Sequence, residues 1–196
     1  MKLLELAHNW LKPVITRSDI VVDATMGNGY DTLFLAKLSD NVYAFDIQEK
    51  AITATKQRLK EAGLEANVTL IKECHSNVAM HILASNKSAG CDKAPTRASI
   101  KAAIFNLGYL PGSDKTIITK PTTTVQALEQ ICDMIDTGLG GRISIMVYPS
   151  HKGGECERDS VLGFVNTLCP TNWNKQIHNS PTTTQNAPIL VLLEKQ

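Results

Sequence analysis

The sequence lacks the cysteine pattern that a disulfide framework or a zinc site needs. Its five cysteines, an odd number, occur at irregular spacings and include no CxxC pair. No apolar run approaches the roughly 18 residues of a membrane span. Residues 1–11 also lack the apolar stretch of a signal peptide. These absences predict a cytoplasmic protein with buried or half-buried thiols, no metal and no membrane anchor.

The sequence also lacks an excess of charge of either sign. Its 20 Lys+Arg and 19 Asp+Glu give a net charge of +1, so the overall charge gives no argument for binding to nucleic acid or membrane. Hydrophobic residues make up 43% and charged residues 20%, which excludes a disordered, collagen-like or coiled-coil chain. At roughly 100–200 residues per domain, the 196 residues predict a single domain, 1–196.

Strand-like and helical patterns alternate along the chain. The predicted strands are 19–24, 41–46, 67–71, 101–105 and 142–148, and the predicted helices are 3–11, 33–38, 49–62, 77–84, 122–136 and 157–168. This series predicts a mostly parallel sheet with helices on both faces. Two further strands, 172–178 and 187–193, are too close in sequence for a parallel crossover and predict an antiparallel hairpin at one sheet edge. The stretch 85–99 is predicted to be a surface loop.

The first predicted strand leads into a glycine turn with the sequence DATMGNG, from Asp23 to Gly29. Glycines let a ligand approach the backbone, and the start of the following helix offers free N–H donors. This arrangement is typical of a nucleotide-cofactor site, although a tight connection without a ligand is the alternative. The dinucleotide fingerprint is incomplete because Thr32 stands where its third glycine belongs.

Asp46 closes the second predicted strand in the string AFDIQ, residues 44–48. A carboxylate at this point can accept hydrogen bonds from both hydroxyls of a ribose. The alternative role, an N-cap for the helix at 49–62, is compatible with the first. The glycine turn and Asp46 together predict an adenosine-containing cofactor, either NAD or S-adenosylmethionine.

Asn106 follows the fourth predicted strand in the string FNLGYLPG, residues 105–112. The Asn106 side-chain oxygen and the Leu107 carbonyl can accept N–H bonds from a substrate amine, and Tyr109 can pack on the substrate's base or ring. A dehydrogenase has no need of this string, so it favours S-adenosylmethionine over NAD. The alternative is a loop in which Asn106 holds its own backbone and Tyr109 lies in the core.

One segment, residues 87–120, is locally positive, with six basic and two acidic residues. A solvated face is the ordinary explanation for such a run, and phosphate contacts to RNA are the alternative. Lys115 and Lys120 are the candidates for RNA contacts because they flank the FNLGYLPG string. His151 follows the fifth predicted strand and is expected at the same sheet edge. Three further histidines are predicted to lack partners and a role: His8, His81 and His178.

The strings DATMGNG, AFDIQ and FNLGYLPG resemble those of a family of class I methyltransferases once labelled rRNA methylases, and within it the bacterial MnmM enzymes. The resemblance extends to residues 119–121, 147–151 and 192–195, so it spans nearly the whole chain. It implies a Rossmann-like fold with a mostly parallel seven-stranded sheet, helices on both faces and a C-terminal antiparallel edge hairpin. The sequence departs from the family pattern in two places: the loop at 85–97 is longer than expected, and Tyr30 stands where His is expected.

The activity that the resemblance implies is methyl transfer to tRNA. The methyl group would pass from S-adenosylmethionine to the exocyclic amine of 5-aminomethyl-2-thiouridine at wobble position 34, giving 5-methylaminomethyl-2-thiouridine. The partner would be the anticodon stem-loop, and a homodimer is plausible by analogy. Methylation of rRNA or a small amine, and a non-catalytic RNA-binding role on the same fold, are the alternatives.

The resemblance also implies roles for individual residues. The expected cofactor contacts are Asp23, Met26, Gly27, Asn28, Gly29, Asp31, Asp46, Ile47, Gln48, His75, Ser76 and Asn106. The expected substrate contacts are Leu107, Gly108, Tyr109, Lys115, Lys120 and His151. An alkylamine has an unperturbed pKa of about 10.4 and must lose a proton before it attacks. Asn106 would orient it, and the sequence leaves Asp31, Tyr109 and His151 open as proton acceptors.

Overall fold

The computed structural model describes residues 2–87, 99–135, 140–180 and 187–196. Its seven strands are β1 (Ile20–Asp23), β2 (Asn41–Phe45), β3 (Val68–Ile71), β4 (Ile100–Asn106), β5 (Arg142–Val147), β6 (Trp173–Asn179) and β7 (Ile189–Lys195). Its six α-helices are α1 (Leu3–Leu11), α2 (Tyr30–Ala36), α3 (Glu49–Ala62), α4 (Val78–Lys87), α5 (Pro121–Met134) and α6 (Gly154–Thr167). Residues 88–98 of the predicted surface loop at 85–99 lie outside the described residues, whereas residues 85–87 belong to α4 instead. Helix α5 ends at Met134, before its predicted end at 136.

All seven strands form one sheet, in the order β3-β2-β1-β4-β5-β7-β6. The strands from β3 to β5 pair in parallel, and β7 pairs antiparallel with both β5 and β6. The predicted fold and its C-terminal antiparallel hairpin are therefore confirmed, with β6 as the edge strand. Because the strand order reverses between β1 and β4, their connections diverge and leave a crevice at the carboxyl ends of these two strands.

Hydrophobic clusters on both faces of the sheet hold the helices. One cluster joins Phe45, Phe105 and Ile145 from the strands to Leu128 and Ile131 of α5. A second cluster joins residues of α1, α2 and α3 to residues of β1, β2 and β4: Leu11, Leu35, Leu59, Val21, Val42 and Ile104. Strand β4 is buried almost throughout, as expected for a central parallel strand covered on both faces. The crevice thus lies at the end of a strand that is covered on both faces.

Helix boundaries differ from the sequence prediction where polar residues form the first turn. Helix α2 begins at Tyr30 and α6 at Gly154, each three residues before the predicted start. Apolar periodicity does not register these polar first turns. The end of α3 is as predicted, because Gly63 adopts the left-handed conformation there.

The thiol prediction is wrong at Cys156 and Cys169, which are exposed. Cys156 lies on the outer side of α6, and Cys169 follows the end of that helix. Within the described ranges, no helix is long and apolar enough to cross a bilayer.

Candidate methyltransferase site

A cavity of about 880 Å³ opens at the carboxyl ends of β1, β2 and β4. Its walls come from the glycine turn after β1, the segment after β2, the turn after β3 and the loop from Leu107 to Lys120. The predicted site residues that line it are Met26, Gly27, Asn28, Asp31, Asp46, Ile47, Gln48, His75, Asn106, Leu107, Gly108, Tyr109, Lys120 and His151. Four others do not line it: Asp23, Gly29, Ser76 and Lys115.

Helix α3 holds the glycine turn in place. Thr55 donates through Oγ1 to the Gly27 carbonyl at 3.2 Å, and Arg58 donates through Nε to the Asn28 carbonyl at 2.8 Å. Gly29 has a φ of +78°, and a Cβ added there would lie 2.8 Å from the Thr55 Cα. Only glycine satisfies both conditions, so the turn and α3 fit together without room for a side chain.

Asp23 stabilises the turn from behind the cavity. Its fully buried carboxylate accepts the Thr25 N–H at 3.1 Å and the Thr32 hydroxyl at 2.6 Å. Burial, followed by repulsion from Asp31, raises the pKa of Asp23 to about 7. The structure therefore gives Asp23 a supporting position, one layer behind the predicted cofactor contacts.

Asp46 lies in the cavity wall and fixes two neighbouring backbone segments. It accepts the Gly27 N–H at 3.1 Å and the Gln48 N–H at 2.9 Å, one on each carboxylate oxygen. Burial raises the pKa of this carboxyl, and the backbone hydrogen bonds partly oppose that effect. Each oxygen retains a lone pair, so the carboxylate can also accept bonds from two hydroxyls.

His75 lines the cavity and has a buried ring nitrogen without a hydrogen-bond partner among the described residues. Its Nδ1 lies 3.1 Å from the Ala24 carbonyl, which can only accept, so Nδ1 carries the proton and Nε2 is the acceptor. Nε2 is buried and has no hydrogen-bond partner among the described residues. Burial lowers the pKa of His75 to about 4, which keeps the ring neutral near pH 7. An amino group bound in the cavity would satisfy Nε2.

Asn106, Asp31 and His8 form a hydrogen-bonded chain at the cavity wall. The Asn106 Nδ2 donates to Asp31 Oδ2 at 3.2 Å, and His8 Nε2 lies 2.6 Å from Asp31 Oδ1. A carboxylate only accepts, so the amide nitrogen of Asn106 faces Asp31 and its Oδ1 remains available to an N–H donor. The Asn106 backbone N–H donates to the Thr25 hydroxyl at 2.7 Å, which ties β4 to the glycine turn.

His8 is a site residue that the sequence analysis missed. Its ring stacks on Phe34 with centroids 3.9 Å apart and an angle of 2° between the planes. Helix α1 carries His8 to the site because the helix packs on Met146, Leu190 and Leu192 of β5 and β7. The prediction that three histidines lack partners is wrong, since His81 also pairs with a carboxylate, and His178 contacts a glutamine. No local pattern signals a contact between residues 23 positions apart.

A buried glutamate, Glu157 of α6, anchors the loop that follows Asn106. It accepts hydrogen bonds from Thr119 at 2.6 Å and Thr124 at 2.9 Å, and the Thr119 hydroxyl accepts the Gly108 N–H at 2.9 Å. Burial raises the pKa of Glu157, and the two threonine bonds partly oppose that effect. The sequence pattern predicts Glu157 only as the start of a helix and does not indicate its inward role.

His151, which follows β5, contacts Tyr109 of the loop that follows Asn106. Their rings pack edge to face with centroids 5.9 Å apart. The His151 Nδ1 lies 3.1 Å from the Lys152 carbonyl, so its Nε2 is an acceptor. That buried Nε2 lacks a hydrogen-bond partner within the part of the chain that the structure describes. Both rings therefore belong to the cavity wall, and Tyr109 does not lie in the core.

The comparisons with known proteins decide the family. A family model described as "Putative rRNA methylase" matches residues 42–194. The chain belongs to this rRNA methylase family. A curated relative in Arabidopsis thaliana, the chloroplastic tRNA (mnm(5)s(2)U34)-methyltransferase, is 36% identical over 100% of this chain and 70% of its own length.

Two solved structures are similar to this chain over its whole length. The protein SMU.1697c from Streptococcus mutans, solved in complex with SAH, is 36% identical and superposes with a TM-score of 0.82 over 100% of this chain and 99% of its own. An rRNA methylase from Streptococcus thermophilus is 38% identical with a TM-score of 0.78, over 100% and 97% of the two chains. The predicted family and the methyltransferase fold are confirmed.

Proposed function

We propose that this chain is a tRNA methyltransferase that uses S-adenosylmethionine. It transfers a methyl group to the exocyclic amine of 5-aminomethyl-2-thiouridine at wobble position 34 and produces 5-methylaminomethyl-2-thiouridine. The observation that supports the proposal is the Asn106–Asp31 pair, because the Asn106 oxygen can accept an N–H and Asn106 lines the same cavity as the glycine turn and Asp46. The name of the Arabidopsis relative, which specifies a modified uridine at tRNA position 34, supports the substrate.

The residues of the cavity fit the cofactor. Asp46 has two carboxylate oxygens for the ribose hydroxyls, and the unpartnered His75 Nε2 is an acceptor for the adenine amino group. The turn at Gly27 and Asn28 leaves the backbone accessible to the methionine end of the cofactor. When bound, the cofactor supplies an electrophilic methyl group on a sulfonium.

Asn106 and Leu107 bind the substrate amine and orient it. The Asn106 Oδ1 and the Leu107 carbonyl accept its N–H bonds, which leaves the nitrogen lone pair free to face the methyl group. The backbone of Leu107 is fixed because its N–H donates to the Met146 carbonyl at 2.9 Å. Positioning of this kind supplies much of the rate, since a thioether leaves without acid catalysis.

Asp31 is the proton acceptor that the geometry favours among the three open candidates. The cavity removes water from the amine and so disfavours its charged form. Asp31 lies next to Asn106, holds two hydrogen bonds and is buried, so its carboxylate is fixed beside the amine. His151 follows β5 and packs against Tyr109 of the loop after β4, and contact with the nucleoside suits both rings better.

The RNA partner is expected to be the anticodon stem-loop of tRNA. Tyr109 lies at the cavity and presents its ring to a base, with the Lys115 Nζ 5.7 Å from the ring centroid. Lys120 lines the same cavity, and both lysines suit phosphate contacts. The wobble base is already unpaired, so its insertion into the cavity costs little. We also propose that the protein is cytoplasmic and forms a homodimer. Light scattering measures the mass in solution and tests the homodimer.

A reconstituted reaction tests this function. The purified chain is incubated with S-adenosylmethionine and tRNA that carries 5-aminomethyl-2-thiouridine, and the nucleosides are analysed by mass spectrometry. Conversion to the methylaminomethyl nucleoside is the expected result. Parallel reactions contain ribosomal RNA, free amines, or tRNA without the aminomethyl group. Methylation of rRNA or of a free amine alone would contradict the proposed substrate. Binding of tRNA without methyl transfer would indicate a non-catalytic RNA-binding protein.

A further inference from the structure

Exposed aromatic rings are rare in this protein and lie at one place. The chain has four tyrosines, four phenylalanines and two tryptophans, and all of them fall within the described residues. Only Tyr30, at 62% exposure, and Tyr109, at 38%, are exposed. Both line the cavity described above. Tyr109 has a proposed role in contacting the substrate base, whereas Tyr30 has none so far.

A fixed arginine covers one face of Tyr30. The Arg58 guanidinium carbon lies 3.7 Å from the Tyr30 ring centroid, which is close stacking. The Arg58 Nε also donates to the Asn28 carbonyl, so the guanidinium is held by the glycine turn. The high exposure of Tyr30 shows that much of the ring remains open to a ligand. The resulting pair is a planar cation and an aromatic ring in a fixed stack.

Stability of the fold does not account for this pair. Tyr30 starts a helix, a position with no demand for an aromatic side chain, and its ring buries little apolar area. A cation–π contact at an exposed site contributes only about 0.5–1 kcal/mol. Stacked tyrosine and arginine side chains are, in contrast, the surfaces on which proteins hold unpaired nucleobases.

We propose that Tyr30 and Arg58 form a stacking platform for the nucleobase next to the nucleotide that is methylated. This inference rests on the proposed function in one respect, that the substrate is single-stranded RNA. The target base enters the cavity beside Tyr109, and a neighbouring base of the loop stacks on Tyr30 at the cavity wall. The two exposed aromatic rings then hold consecutive bases of one strand, and the Arg58 charge suits the phosphates that join them.

Binding of an anticodon loop measures the platform without any chemistry. A fluorescent stem-loop is titrated with wild-type protein and with Tyr30→Ala, and Kd is obtained from anisotropy. Loss of one base stack is expected to raise Kd about tenfold or more, since base–aromatic stacking contributes about 1–3 kcal/mol. Tyr30→Phe keeps the ring and is expected to stay within about twofold of wild type, whereas Tyr30→Leu keeps apolar area without a ring and is expected to resemble Tyr30→Ala.

Abasic loops identify the base that stacks. When the base on one side of the wobble position is removed, Tyr30→Ala is expected to cause no further loss, while the loop lacking the other neighbour remains sensitive. Met80→Ala is the control, because Met80 is 57% exposed on α4 and does not line the cavity. Equal binding of the intact loop by wild type and Tyr30→Ala overturns the platform.

Two further results separate the platform from its alternatives. If Tyr30→Ala weakens binding of S-adenosylhomocysteine while loop binding stays unchanged, the ring belongs to the cofactor site and the platform is overturned. Failure of the proposed function has a different signature, which is absence of methyl transfer by the wild-type chain. Loop binding that still depends on Tyr30 in that case supports the platform.

Discussion

Asn106 joins the two halves of the site at the scale of single residues. Its backbone N–H bonds to Thr25 in the glycine turn, and its side chain bonds to Asp31. The fixed amide nitrogen leaves one oxygen to receive the substrate amine. The Asp46 carboxylate, by comparison, accepts hydrogen bonds from the glycine turn and from its own following segment. Replacement of Asn106 should therefore slow methyl transfer, whereas replacement of Asp46 should weaken cofactor binding.

Asn106→Ala is expected to reduce kcat about 100-fold and to leave the Kd for S-adenosylhomocysteine within about twofold of wild type. The reason is that the amine loses an orienting acceptor, whereas the cofactor contacts remain. Asp46→Ala should raise that Kd about tenfold or more. Steady-state kinetics and calorimetry separate the effects, with the exposed Asn174→Ala on β6 as control. Unchanged turnover in Asn106→Ala would refute its assigned role.

His8→Ala is expected to lower kcat about tenfold without changing cofactor affinity. His8 holds Asp31 from the side opposite Asn106, so its loss lets the carboxylate shift, and small displacements of catalytic groups are costly. His8→Gln retains an N–H donor and should recover part of the loss. His178→Ala on β6 is the matched control. The positioning role is refuted if both His8 variants have wild-type kcat.

His75 is expected to make the protein less stable in mild acid. Its folded pKa of about 4 lies below the unfolded value of about 6.5, so between these values only the unfolded chain is protonated. Stability is therefore lost as pH falls, by about 2 kcal/mol at pH 5. Urea unfolding of wild type and His75→Gln at pH 7.5 and pH 5 isolates this contribution. The free energy of unfolding of wild type, relative to that of His75→Gln, should fall by about 2 kcal/mol between the two pH values. A constant difference would show that His75 does not titrate in this way.

At the scale of elements, the contact between the glycine turn and α3 determines the shape of the cofactor side of the cavity. Thr55 and Arg58 both bond to the turn, and Gly29 leaves no space for a side chain against the Thr55 backbone. Gly63, at the end of α3, has a similar positive φ but open space around it. The chain thus contains two glycines that differ mainly in their surroundings.

Gly29→Ala is expected to destabilise the fold by about 3 kcal/mol and Gly63→Ala by about 1 kcal/mol. Both substitutions place a Cβ in the left-handed region, which costs about 1–2 kcal/mol. Only the first also forces a Cβ to 2.8 Å from a backbone atom, and overpacking costs a further 1–3 kcal/mol or so. Urea unfolding measures both. Equal losses of unfolding free energy in the two variants would show that α3 shifts to make room for the added methyl group.

The elements themselves were largely predictable from the sequence. Buried runs such as Ile20–Asp23 and Ile100–Asn106 are rich in β-branched and small apolar residues, and turn residues follow them. Gly63 and Pro121 mark a helix end and a helix start. The polar first turns of α2 and α6 were missed because apolar periodicity does not register them. The inward role of Glu157 was missed for a different reason, because its partners lie 33 and 38 residues away in the sequence.

At the scale of the whole molecule, topology brings the site together. The sequence pattern predicts that strand ends carrying Asp23, Asp46 and Asn106 meet at one edge, because parallel strands end on the same side. It predicts α1 as a helix but not the position of α1 at the site, because that position depends on packing against β5 and β7. Nor does it separate Asp46, which faces the cavity, from Asp23, which lies behind it. Such distinctions depend on side-chain direction and on contacts between distant segments.

The methyl transfer itself is tested most directly in bacterial cells that lack their own wobble methyltransferase. These cells express this chain or its Asn106→Ala variant, and mass spectrometry quantifies the wobble nucleosides of their tRNA. The account predicts 5-methylaminomethyl-2-thiouridine in cells with the wild-type chain and accumulated 5-aminomethyl-2-thiouridine in cells with the variant. Accumulation of the aminomethyl nucleoside with both chains, or full conversion with both, would contradict it.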